Sequence, residues 1–136
     1  MLKLPYGISH YKTLIEDGYF YQDRTQYIQT LEDYGPSYLV YLRPRRFGKS
    51  LLISTLQYYY GFQYKNEFDK LFGKTFIGTH PTRNANANMV LRFDFSGINT
   101  KNEETTYEGF LEKVVLGIKD CFIDYEGYFL RSHSRT

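Results

Sequence analysis

The stretch that most constrains the chain is RPRRFGKS, which lies between two apolar segments. It ends in Gly48-Lys49-Ser50, the closing half of the phosphate-binding P-loop G-x-x-x-x-G-K-[ST]. The apolar run at 38–42 is typical of a buried strand, and apolar residues recur at helical spacing over 51–59. A strand, a tight loop and a helix in this order are the setting that a P-loop requires. The sequence therefore predicts a nucleotide site of the Walker A type.

Each residue of this motif suits a polyphosphate ligand for a physical reason. The first amides of a helix have no partner within the helix and lie at the positive end of its dipole, so they attract anions. Gly48 lets the main chain approach a phosphate without a Cβ in the way. Lys49 is expected to reach the β- and γ-phosphates, and the Ser50 hydroxyl is expected to ligate Mg²⁺.

The predicted nucleotide contacts form one continuous segment. They are Arg43, Arg45, Arg46, Phe47, Gly48, Lys49, Ser50 and Leu51. The main-chain amides at 46–48 are expected to cradle phosphate, while the three arginines add charge to the cradle, form a solvated rim or pair with acidic groups elsewhere. The alternative for the whole motif is an ordinary turn with a capped helix start and a solvated lysine.

The loop departs from the usual P-loop pattern at its first position. Arg43 stands where the first glycine is expected, and Pro44 contributes no amide hydrogen. A residue with a bulky side chain enters a left-handed turn only at a cost, so we expect the mouth of this loop to differ in shape.

Asp94 is a second candidate because it ends the apolar run MVLRFDF, which predicts a strand over 89–95. The carboxyl ends of parallel strands are where α/β folds place their ligands. Asp94 is therefore expected either to have a structural role or to lie near Mg²⁺ and act through a bound water. Asp23 is interpreted as a helix cap and not as a catalytic base.

Composition excludes several classes of protein. The 136 residues carry a formal charge of only +2, which does not by itself indicate nucleic-acid binding. The single cysteine, Cys121, lies in a helical apolar pattern and predicts a buried thiol in a reducing compartment. The three histidines are scattered without partners at metal-ligand spacing. No apolar run has the length of a membrane span, so we expect a soluble cytoplasmic protein.

The order of predicted elements indicates an α/β fold. Helices are predicted at 10–17, capped by Ser9, and at 24–33, 67–72 and 103–125, with an exposed loop over 74–88. Glycines at 109 and 117 either weaken the last helix or mark close packing. Strand, P-loop, helix, strand and helix predict a P-loop NTPase-like parallel sheet with flanking helices.

Four stretches together resemble one known family. LPYGISHYKTL, GYFYQDRTQYI, YLRPRRFGKSLLISTL and VLRFDFSGI occur in the order found in the predicted AAA-ATPase-like proteins of bacteria. In that family the P-loop is typically written RPRRFGKS, so the resemblance implies that the missing first glycine is a feature of the family. The resemblance covers nearly the whole chain, and it implies a domain that binds ATP and Mg²⁺.

The resemblance also implies what this chain lacks. Many members carry a nuclease-like domain of the PD-(D/E)XK type further along, and nothing in these residues resembles it. The acidic Walker B strand is also missing. We therefore expect residues 1–136 to be the N-terminal part of a longer protein, with a helical lead-in over 1–36 and a P-loop core over 37–136. Such a chain is expected to bind nucleotide weakly or not at all, and hydrolysis is expected to need the missing segment.

A second reading treats the chain as a non-catalytic module that binds phosphate, nucleic acid or a protein partner and is accessory to a nuclease. The arginine cluster and the 15 tyrosines and 11 phenylalanines motivate it. Packing within the core is the alternative role for those aromatic residues. A sheet cut before its Walker B strand also leaves an edge and an apolar helix face uncovered, which predicts self-association.

Overall fold

The computed structural model describes residues 1–35 and 38–129. The chain forms two compact units, Met1–Met89 and Val90–Thr136. The predicted boundary between the lead-in and the P-loop core falls at Pro36 and Ser37, which lie outside the described residues.

The first unit is built from short helices. These are α1 (Tyr11–Glu16), α2 (Gln26–Asp33), α3 (Lys49–Tyr60), a 3-10 helix (Phe62–Glu67), α4 (Phe68–Phe72) and α5 (Phe76–Thr79). The predicted Ser9 cap is wrong, because α1 is preceded by His10, and no side chain caps it. The helix predicted after the loop is confirmed, and it begins at Lys49.

The core of this unit is aromatic. Tyr11, Tyr59 and Phe72 are completely buried, and the rings of Tyr11 and Phe72 stack with centroids 4.9 Å apart. The Tyr11 hydroxyl donates a hydrogen bond of 2.7 Å to the carbonyl oxygen of Leu71, so its one polar group is satisfied inside the core. Burial raises the pKa of Tyr11 above its ordinary value. Core packing is thus the role of these aromatic residues.

The prediction of an exposed loop over 74–88 is confirmed only in part, because residues 80–88 contain no helix and are mostly exposed, whereas other parts of the segment pack against the core. Asp23 Oδ2 accepts a hydrogen bond of 2.7 Å from Phe76 N, and α5 begins there with Ile77 completely buried. Asn86 is also buried, and its side-chain amide donates to the carbonyl oxygens of Tyr58 and Gly61. The polar composition predicted exposure, but these polar groups satisfy main-chain atoms at the ends of helices.

The predicted parallel sheet is wrong. Neither 38–42 nor 89–95 pairs as a strand in the described parts of the chain, and the parallel pairing found there is one isolated bridge between Gly61 and Asn88. An apolar run expresses a preference for burial, whereas a strand also needs a neighbour that completes its main-chain hydrogen bonds. The segment before the loop is exposed: Tyr38 is 92% exposed and Val40 is 84% exposed.

The second unit contains one long helix, α6 (Glu103–Asp124), followed by α7 (Glu126–Phe129). Asn102 caps α6 by accepting a hydrogen bond of 2.8 Å from Thr105 N. The hydroxyl of the completely buried Tyr125 accepts from Val90 N at 2.7 Å, which holds the entering segment against the helix. Much of the apolar stripe of α6 is exposed, including Phe110, Leu111, Val115, Ile118 and Phe122. None of the helices described for residues 1–35 and 38–129 combines the length and apolar character needed to cross a membrane.

Close packing explains the two glycines of α6. A Cβ at Gly117 would lie 2.7 Å from the carbonyl oxygen of Arg92 and 2.6 Å from Cδ1 of Phe93. At Gly109 the nearest atom would be Cγ2 of Ile98, at 2.9 Å. Of the two alternatives, these glycines mark close packing within a continuous helix. Cys121 is half-buried, its Sγ lies 3.8 Å from the carbonyl oxygen of Val90, and burial raises its pKa.

We expect Gly117→Ala to lower the free energy of unfolding of the second unit by about 1–3 kcal/mol, because the added methyl group overpacks against a main-chain carbonyl. The matched control is Gly127→Ala in α7, where an added Cβ meets nothing within 4 Å. Urea denaturation followed by circular dichroism measures both variants. Equal stability of Gly117→Ala and the unchanged chain would contradict the packing described for Arg92 and Phe93.

Candidate nucleotide site

The start of α3 presents a set of unpaired main-chain donors. Gly48 caps the helix in the left-handed conformation, with φ at +78°. The first hydrogen bond of the helix runs from Leu52 N to the carbonyl oxygen of Gly48, at 2.9 Å. The amides of residues 48–51 therefore precede the helical ladder, and no side chain caps them. A phosphate bound at the start of a helix accepts hydrogen bonds from such amides.

The loop before α3 alternates in backbone conformation. Arg46 has φ at +67°, and Gly48 has φ at +78°, whereas Phe47 between them is not in the positive-φ region. Alternation of this kind turns successive N–H groups toward one side and forms an anion-binding concavity. Arg46 is one of two non-glycine residues with positive φ in the described chain, and such residues cluster at functional sites.

Lys49 closes the loop across its mouth. Its Nζ donates a hydrogen bond of 2.7 Å to the carbonyl oxygen of Arg43, six residues earlier. Arg43 in turn places its guanidinium 5.4 Å from the centre of the Tyr41 ring, and its Nη1 donates to the carbonyl oxygen of Leu42. The ammonium group therefore lies over the loop, where it can exchange one neutral carbonyl partner for a charged phosphate oxygen.

The cations of the loop are exposed, and none forms an ion pair within the described residues. Residues 43–50 are all exposed. In the described ranges, the ion pairs of the first unit join Lys12 to Glu16 and Glu67, and Lys70 to Glu16, so none involves the loop. The alternative in which the arginines pair with carboxylates of this unit is therefore not seen. Arg43, Arg45, Arg46 and Lys49 form a basic rim that is available to an anion.

The predicted site residues thus lie together in one loop and helix start, from Arg43 to Leu51. Asp94 belongs to the second unit, where its Oδ1 accepts a hydrogen bond of 2.9 Å from Ser96 N. Hydrogen bonds from the main chain and side chain of Ser96 lower the pKa of Asp94, with help from Lys113 and Arg92. This geometry supports the structural role of Asp94, and its action near Mg²⁺ stays a prediction.

Sequence reasoning missed the contacts that anchor α3. Ser54 Oγ accepts a hydrogen bond of 2.9 Å from Tyr11 N, and the buried Asn86 holds the other end of the helix through Tyr58 and Gly61. Two adjacent small polar residues within the apolar helical pattern after the loop, Ser54 and Thr55, were the signal that could have indicated this packing. These contacts fix the helix whose first turn carries the site.

An apolar groove in the second unit has different chemistry. It is lined by Phe95, Gly97, Ile98, Thr100, Asn102, Glu103, Thr106, Tyr107 and Phe110. This lining contains a carboxylate and no lysine or arginine, so it does not suit a phosphate. Within residues 1–35 and 38–129 no cluster of three or more His, Cys, Asp or Glu side chains could hold a metal ion.

Comparison with known proteins identifies the family. The model of the predicted AAA-ATPase family matches residues 5–131, which include the whole loop and α3. The chain belongs to the predicted AAA-ATPase family. The resemblance seen in RPRRFGKS and the stretches around it is thereby confirmed.

One curated bacterial relative is known only as an uncharacterized protein in the vnfD 5′ region of Azotobacter chroococcum mcd 1. It is 46% identical over 55 residues, which is 40% of this chain and 10% of the relative. The matched part of the chain therefore spans about a tenth of that relative's length. No solved structure matches the chain.

We expect Gly48→Ala to lower the free energy of unfolding by about 1 kcal/mol, because φ of +78° is unfavourable for a residue with a Cβ. Arg46→Gly tests the same conformation in the opposite direction, since it removes a Cβ from a residue at +67°. It should leave stability unchanged or raise it slightly. Urea denaturation of both variants checks this, and a loss of stability in Arg46→Gly would count against the left-handed turn.

Proposed function

We propose that this chain binds ATP together with Mg²⁺ at the loop and helix start from Arg43 to Leu51. The observation that carries the proposal is the set of main-chain donors at 46–51, in the loop and the first turn of α3, beside a Lys49 ammonium group that bonds across the loop to the carbonyl oxygen of Arg43. Membership of the predicted AAA-ATPase family supports a nucleotide as the ligand.

The residues divide the work of binding. The amides of 48–51 donate to phosphate oxygens, and the helix dipole favours the negative charge. Lys49 leaves the carbonyl oxygen of Arg43 and contacts the β- and γ-phosphates, as the lysine of a P-loop does. The arginines at 43, 45 and 46 add positive charge around the loop. None of them forms an ion pair with a described residue of this unit.

Ser50 fits the role of magnesium ligand. It is the second residue of α3, and its hydroxyl is exposed beside the amides that would hold the phosphates. Mg²⁺ is usually bound by one or two protein oxygens together with phosphate oxygens and water. A single serine at this position therefore suffices for a metal that arrives with the nucleotide, and no preformed metal cluster is required.

We infer that hydrolysis requires more than this chain provides. Transfer of the γ-phosphoryl needs a residue that positions water and further charge on the transferring group. Of the acidic residues in the first unit, Glu16, Asp23, Glu32 and Glu67 already bond to groups outside the loop. The ATPase activity that the family's name predicts is accordingly a property of longer members, with an acidic Walker B segment and, in some, a nuclease-like domain. We place such proteins in the cytoplasm, and self-association of this chain stays a prediction.

Titration with ATP·Mg²⁺ tests the site through Lys49→Ala. We expect the variant to bind at least about tenfold more weakly, which is about 1.4 kcal/mol, because one direct charge on the phosphates is lost. The matched control is Lys74→Ala, which removes another exposed lysine of the same unit outside the loop. Isothermal titration calorimetry measures all three proteins.

Ser50→Ala separates the metal from the phosphate contacts. We expect it to weaken binding of ATP·Mg²⁺ while leaving binding of ATP in EDTA unchanged, because only the hydroxyl is removed. Equal affinity of the unchanged chain and Lys49→Ala for ATP·Mg²⁺ would contradict the proposal that this loop binds the phosphates.

A further inference from the structure

The segment before and within the loop is unusual in its charge. No Asp or Glu occurs between Asp33 and Glu67, whereas five basic residues do: Arg43, Arg45, Arg46, Lys49 and Lys65. The whole chain carries only +2, so this stretch concentrates positive charge that the rest of the sequence balances. Four of the five lie within seven residues, in the exposed loop.

The same segment exposes aromatic rings. Tyr38 is 92% exposed, Phe47 is 59% exposed and Tyr41 is 46% exposed. Exposed rings also occur elsewhere, as at Tyr34, which is 72% exposed, so what distinguishes this segment is that its rings lie among four cations. The Arg43 guanidinium already lies against the Tyr41 ring, so charge and aromatic surface are directly adjacent.

We propose that the exposed segment from Tyr38 to Phe47 binds single-stranded nucleic acid. Arg45, Arg46 and Arg43 contact backbone phosphates, and the rings of Tyr38, Tyr41 and Phe47 stack on bases. Interleaved cations and exposed aromatic side chains are the surface that binds single strands without sequence preference. A duplex offers the same phosphates but keeps its base faces stacked within the helix, so it cannot use the rings.

The surface shares its arginines with the basic rim of the nucleotide site, but strand binding does not require a bound nucleotide. Tyr38 and Tyr41 precede the loop and have no place in the proposed ATP contacts. Ser50, which serves the metal, contacts no base in this proposal. The two functions can therefore fail separately: strand binding needs neither ATP nor Mg²⁺, and nucleotide binding needs neither tyrosine.

Fluorescence anisotropy with labelled oligo-dT, in EDTA and without ATP, tests the proposal. The logarithm of the binding constant should fall with the logarithm of salt concentration with a slope of about −2, since three arginines release about 0.7 counterion each. Arg45→Gln should reduce that slope by about 0.7. Ser50→Ala should bind oligo-dT as the unchanged chain does.

Aromatic stacking is tested with Tyr41→Ala, which should weaken oligo-dT binding roughly fivefold or more. Tyr41→Phe keeps the ring and should keep the affinity. The matched control is Tyr27→Ala on α2, a tyrosine of similar exposure outside the segment, which should bind normally. Circular dichroism confirms that each variant remains folded.

Competition by other polyanions tests what the surface recognises. Oligo-dT should compete better than a dT–dA duplex, inorganic polyphosphate or polyglutamate at equal charge. Binding that is equal for duplex and single strand, and unchanged in Tyr41→Ala, would overturn the proposal and leave a surface that attracts anions in general. Stronger competition by polyglutamate would indicate an acidic protein partner and would also overturn it.

Discussion

The anchoring of α3 at one end is the constraint on which the site depends. Buried contacts from Tyr11 to Ser54 and from Asn86 to Tyr58 and Gly61 hold the middle and the end of the helix. In its first turn, by contrast, Lys49 and Ser50 are exposed. The core therefore fixes the direction of the helix and of its dipole, while the amides that precede the helical ladder stay open to a ligand. The core thus holds α3 in place without covering the amides at its start.

The chemistry of the loop follows from this arrangement. Arg46 and Gly48 have positive φ with Phe47 between them, an alternation typical of anion-binding loops, and the Lys49 ammonium group donates to the carbonyl oxygen of Arg43. A phosphate oxygen is a stronger acceptor for an ammonium group than a neutral carbonyl. This arrangement supports the proposed anion site, although the first glycine of the loop is replaced by arginine.

The sequence predicted local features far better than the tertiary arrangement. GKS predicted a helix start with free amides, and the periodicity of α3 and α6 predicted helices, because both signals are local. The strand predictions at 38–42 and 89–95 failed because pairing depends on a neighbour that no local pattern reveals. The packed part of 74–88 was missed because Asp23 and Asn86 bond to distant main-chain groups, and polar composition alone does not distinguish such a residue from a solvated one. Family membership was readable from RPRRFGKS and its flanking stretches.

The most direct test of the central claim is the response of individual main-chain amides to the nucleotide. In ¹H–¹⁵N spectra of the chain titrated with ATP·Mg²⁺, the account predicts the largest shifts at Phe47, Gly48, Lys49 and Ser50. Amides of the buried helix end, such as Tyr59, should remain in place. Shifts confined to the second unit, or none at saturating nucleotide, would contradict the assignment of this loop as a phosphate site.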